Sequence, residues 1–112
     1  MHNRFHFQEI LKNFKGKEIE SVTLYRIGKI HEKLGDYQLA LSQYQQIIDL
    51  HPEDIYIDEA LFFTAEIYSK RVIDLEKAQS YYEKLVFHHQ DSIYFVDARK
   101  KYRELRGDNK EL

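Results

Sequence analysis

The chain has no cysteine, so disulfides and thiol chemistry are excluded and the redox compartment stays open. It has one proline and four glycines in 112 residues and no strand-like alternation, which points to an all-helical chain. No apolar run approaches the ~18 residues that a membrane-crossing helix needs. The opening MHNRFHFQEILKNF is too broken by polar residues to read as a signal peptide. Neither sign of charge dominates: 17 Lys and Arg stand against 19 Asp and Glu, interspersed, for a net charge of −2. That balance argues against a nucleic-acid or anionic-membrane footprint. Catalytic signals are missing too, with no Ser/His/Asp spacing, phosphate-binding glycine loop or isolated carboxylate pair. Of the six histidines, His88 and His89 point about 100° apart on a helix and cannot easily share a metal. His2 and His6 are spaced to share one, but without a third ligand. The expectation is a non-enzyme with no metal and no cofactor.

What is present is a chain of one domain's length, 32% charged and 43% hydrophobic, which suits a soluble globular protein. Its organising stretch is residues 21–54, SVTLYRIGKIHEKLGDYQLALSQYQQIIDLHPED. Leu24, Ile27, Gly28, His31 and Leu34 recur at spacings of three or four and predict one amphipathic helix. Tyr37, Ala40, Leu41, Tyr44, Ile47, Ile48 and His51 predict a second. Gly35 tolerates the left-handed conformation that ends a helix, Asp36 is placed to cap the next, and Pro52 stops it.

With Gly28, Gly35, Tyr37, Ala40, Tyr44 and Pro52 at these spacings, the stretch resembles one tetratricopeptide repeat, a helix–turn–helix unit of about 34 residues. It departs from that family at Leu24, where a larger aromatic is usual, and at His31, where tyrosine is usual. A second unit follows over 58–92, with Ala65 in the role of Gly28 and Ala78 and Tyr82 on the stripe of its second helix. Its turn, SKRVIDLEKA, is one residue longer and lacks the glycine, and Asp74 is its expected N-cap. The joints between units repeat at an offset of 38 residues: EDIYIDEA returns as DSIYFVDA, with Asp54 and Ser92 as expected caps.

Before the first unit, Phe7, Ile10, Leu11 and Phe14 predict a helix over roughly 1–16 that aligns with the second helix of a repeat. Two readings stay open for it: a half-repeat of a longer array, or a short capping helix. A closing helix is expected over 93–106 and a disordered tail over 107–112. The ending DARKKYRELRGD looks like the C-terminus of long bacterial tetratricopeptide proteins. The expected fold is all-α, a right-handed superhelical stack of antiparallel helix pairs with about six helices.

Function follows from the resemblance. In this family the first helix of each pair lines a concave groove in which a peptide or protein segment lies. Carried onto this sequence, the groove consists of Tyr25, Lys29 and Glu32, then Phe62, Glu66 and Ser69, then Lys100 and Glu104. Phe62 is either an aromatic anchor for the partner or a core residue, whereas packing is the reading for Tyr25. The subclass that clamps carboxylate termini does not fit, because Lys29 and Glu66 stand where asparagines are required. The implied function is a non-catalytic scaffold for a protein or peptide partner. Its alternatives are self-association and an accessory domain of a larger enzyme or envelope complex. Phe5, Phe7, Ile10 and Phe14 form the expected homodimer surface. The compartment, cytoplasmic or periplasmic, would depend on sequence upstream of Met1.

Overall fold

A computed structural model describes residues 16–107. Five helices follow one another: α1 (Gly16–Leu34), α2 (Tyr37–Leu50), α3 (Ile57–Lys70), α4 (Leu75–His88) and α5 (Phe95–Arg106). No strand occurs among the described residues. Each helix packs on the next in the chain, so α1–α2 and α3–α4 are hairpins and α5 closes the stack. The expected sixth helix, with Phe5, Phe7, Ile10 and Phe14, and the tail from residue 108 lie outside the described residues.

Two clusters form the core. Leu24, Ala40, Leu41, Tyr44 and Ile47 meet Ala60 and Ile67 of α3. The second joins Ile57, Leu61, Phe62 and Ala65 to Ala78, Tyr82, Leu85 and Val86, and then to Ala98 and Tyr102 of α5. Ile48, Phe63 and Tyr68 touch both clusters and weld the two hairpins together. Small residues set the spacing. A Cβ on Gly28 would fall 2.5 Å from Cε1 of Tyr44, so only glycine lets this ring lie against α1.

Several expectations need correction. Helix α1 starts at Gly16, not near residue 21. The added turn is held by Glu20, whose Oε1 is 2.6 Å from Nε2 of the buried His51, and by the fully buried Ser21. Ile27 and Leu34, expected on a core stripe, are 36% and 68% exposed. The helices after the joints begin at Ile57 and Phe95, so the N-cap positions are Tyr56 and Tyr94 rather than Asp54 and Ser92. Asp54 and Ser92 instead start the preceding turn: the Asp54 carbonyl accepts from Ile57 N, and Ser92 Oγ accepts from Tyr94 N at 3.0 Å. Asp36 occupies its cap position without a side-chain cap bond, whereas Asp74 accepts from Lys77 N at 3.1 Å.

Candidate protein-binding face

The odd-numbered helices share one face, because their side chains meet each other directly. Lys29 Nζ of α1 sits 3.5 Å from the ring centroid of Phe63 on α3. Lys101 Nζ of α5 donates to Glu66 Oε2 of α3 at 2.6 Å. Residues 25, 29 and 32 of α1 and 62 and 66 of α3 recur at spacings of three or four, so each set lies along one side of its helix.

Two aromatic stacks pave this face, and they are built alike. Tyr25 lies on Tyr56 with centroids 4.9 Å apart and planes 25° apart. Phe62 lies on Tyr94 with centroids 4.6 Å apart and planes 21° apart. In each, an aromatic on the first helix of a hairpin is covered by the tyrosine that caps the next odd-numbered helix. Phe63 touches Phe62 and Tyr94 edge-on.

Buried tyrosines anchor the acids of the same face. Tyr44 Oη donates to Glu32 Oε1 at 2.6 Å, and Tyr82 Oη donates to Glu66. Burial, reinforced by these bonds, holds both phenols far above their ordinary value. Glu66 also pairs with Lys70 at 2.9 Å. Burial alone would push the Glu66 carboxyl up, but bonds from Lys101, Tyr82 and Lys70 together hold it below the usual range. Beside the α1–α2 turn, Lys29, Glu32, Lys33, Tyr37 and Arg71 line a cleft of about 140 Å³. The Arg71 guanidinium lies 5.7 Å from the Tyr37 ring centroid.

Comparison with known families gives one match: residues 21–54, which end α1, include all of α2 and reach the joint, match the tetratricopeptide repeat. The helical hairpin recurs at α3–α4, and α5 follows it. Residues 21–54 are a tetratricopeptide repeat. No curated protein and no solved structure matches the chain.

Most of the groove residues carried over from the tetratricopeptide family fall on or beside the shared face. Tyr25, Lys29 and Glu32 do so, half-buried, as does Glu66. Ser69 is half-buried. Phe62, left open between partner anchor and core residue, is 7% exposed and stacked on Tyr94, a core position. Lys100 is exposed, and Lys101 instead reaches the groove carboxylate. Glu104 is exposed and acts on the Tyr82 phenol only through its charge. Tyr56, Glu59, Phe63, Tyr94 and Lys101 were missed. For the two tyrosines a signal was present, the Ile-Tyr pair that recurs at each joint.

Proposed function

We propose that this chain is a non-catalytic interaction module and that the face of α1, α3 and α5 holds a segment of a protein partner. Tetratricopeptide repeats generally mediate protein–protein contacts, and the matched repeat brings that role with it. The observation that carries the reading is the pair of aromatic stacks on one face, Tyr25–Tyr56 and Phe62–Tyr94, edged by Lys29, Glu32 and Lys101. Rigid rings beside fixed charges suit a binding hot spot: the rings supply affinity and the charges set orientation.

Panning a randomised peptide library against the intact chain tests this. Selected peptides should lose at least tenfold in affinity on Tyr25→Ala, with helicity retained, and little on Phe87→Ala, which removes an exposed ring of α4. The reading fails if no peptide is selected, or if binding follows Phe87 and ignores Tyr25.

A second reading, self-association, is favoured by an apolar stripe on α1: Ile30 is 56% and Leu34 68% exposed, beside Ile27. Phe5, Phe7, Ile10 and Phe14 are proposed to contribute from the N-terminal side. Sedimentation should then show concentration-dependent dimers that Phe7→Glu abolishes. A wild-type chain that stays monomeric at high concentration excludes it.

A further inference from the structure

The two aromatic stacks leave one carboxylate between them. Glu59, in the first turn of α3, stands three residues after Tyr56, which stacks on Tyr25, and three before Phe62, which stacks on Tyr94, so helical spacing sets it on the side of α3 between the two stacks. Its Oε1 is buried and meets no hydrogen-bond partner. No lysine, arginine or histidine among the described residues forms an ion pair with it. Other acids of α1 and α3 are engaged: Asp58 with His89 Nδ1 at 3.2 Å, Glu32 with Tyr44 and Lys29, and Glu66 with Tyr82, Lys70 and Lys101.

The surroundings are negative as well as partly dry. Burial pushes the Glu59 carboxyl up and the charge of Asp58 adds to this, while its own amide pulls the other way. The phenols of Tyr25 and Tyr94 are raised by burial and then by neighbouring acidic groups, Glu59 among them. A half-buried carboxylate without a counter-ion is a cost to the folded chain, and a cation arriving from outside removes that cost.

Resting on the groove reading above, we infer that this face recognises a basic side chain of its partner segment, arginine before lysine, held by Glu59 between Tyr25 and Tyr94. The charge complements the unpartnered carboxylate. The flanking rings favour guanidinium over ammonium, because the guanidinium is planar, weakly hydrated and stacks on aromatic faces. Lys29 and Lys101 do not supply this cation: Lys29 is spent on Glu32 and the Phe63 ring, Lys101 on Glu66.

The peptide library provides the test. Peptides selected on the wild-type chain should be enriched in arginine, and the same library panned on Glu59→Gln should lose that enrichment. In one selected peptide, replacing its arginine with citrulline, neutral and nearly the same shape, should weaken binding at least tenfold to the wild type. To Glu59→Gln the two peptides should bind within about twofold of each other, since the lost interaction is already absent. The inference is overturned if selected peptides show no basic enrichment, or if citrulline costs the same in both proteins. Either result leaves the groove reading standing, because peptides were still selected through Tyr25. Failure to select any peptide overturns the groove reading, and this inference with it.

Discussion

The two hairpin units, α1–α2 and α3–α4, solve the same packing problem with different residues. In the first, glycine at 28 lets the Tyr44 ring lie on the helix backbone, and its hydroxyl reaches Glu32, one turn further along α1. In the second, Ala65 keeps its Cβ, and the Tyr82 hydroxyl meets Glu66, the very next residue. The residue before the N-cap of each second helix is left-handed: Gly35 at φ +80° before Asp36 in the first unit, and Ile73 at φ +62° before Asp74 in the second. The first unit stacks Tyr25, still half-exposed, and the second stacks Phe62, almost fully buried. What a repeat conserves is a geometric relation, a ring from one helix held against the next, and more than one residue set can satisfy it. The second unit also carries an extra helix, α5, pinned through Lys101, so it is the better-buried half.

The widest difference should appear at the equivalent aromatics. Phe62→Ala empties a site enclosed by Phe63, Tyr82 and Tyr94, and should cost about 3–5 kcal/mol. Tyr25→Ala removes a half-exposed ring with one stacked neighbour and should cost about 1–2 kcal/mol. Denaturant melts of the two variants check this, and equal costs would mean that the second unit is no better buried than the first.

At the helix crossing the asymmetry should reverse. Gly28→Ala forces a methyl against a ring that is fully buried and tethered by its hydroxyl, so it should cost about 1–3 kcal/mol. Ala65→Gly only frees the backbone and should cost about 1 kcal/mol. Thermal unfolding of the pair is the measurement.

These contrasts mark how far the sequence could be read. The helices from Tyr37 to Arg106 and their core stripes were legible, because periodicity and the small residues at 28, 40, 65 and 78 encode them locally. The start of α1 was not, because residues 16–20 are held by a long-range contact, Glu20 with His51. Phe62 was ambiguous for the same reason: its burial comes from Tyr94, distant in sequence and reachable only by folding α5 onto α3. The joint tyrosines were visible as a repeat, but their task as lids was not, since the helices were expected to begin before them. Lys101 and Lys100 differ by one helical position, and only the docking of α5 decides which faces Glu66.

A smaller effect separates the units by pH. Lys101→Ala should cost about 1.5 kcal/mol at neutral pH, the scale of a charged hydrogen bond to a mostly buried acid. Its first-unit counterpart, Lys29→Ala, breaks a 3.4 Å pair to a partly exposed Glu32 and should cost under ~0.5 kcal/mol. Because the folded Glu66 carboxyl is held below its unfolded value of about 4.3, its contribution is present above that pH and fades as pH falls further. The gap between wild type and Lys101→Ala should therefore close in acid. A gap that is constant down to pH ~2.5 would show that Lys101 acts by packing on Phe62 and not by its charge.

The smallest effect should be a gain. Ile73 is a β-branched residue in left-handed backbone, a conformation that costs an L-residue roughly 1–2 kcal/mol. The turn holds it there: Val72 N donates to Ile67 O, and Asp74 N to Tyr68 O at 2.7 Å, so the chain must pass through that geometry before α4. The side chain returns little, being 61% exposed. Ile73→Gly relieves the strain, but the freed unfolded chain takes back about 0.5–1 kcal/mol. The net should be a stabilisation of about 0.5 kcal/mol. Gly35→Ala, at the matching position with nothing near the added methyl, should instead lose about 1 kcal/mol from strain alone. Opposite signs at the two turns would establish that both units require a left-handed residue and that only the first has the one suited to it. A loss at both would mean that Ile73 makes a contact worth more than its strain, and the neighbouring Val72 and Leu75, both exposed, are where that contact would extend.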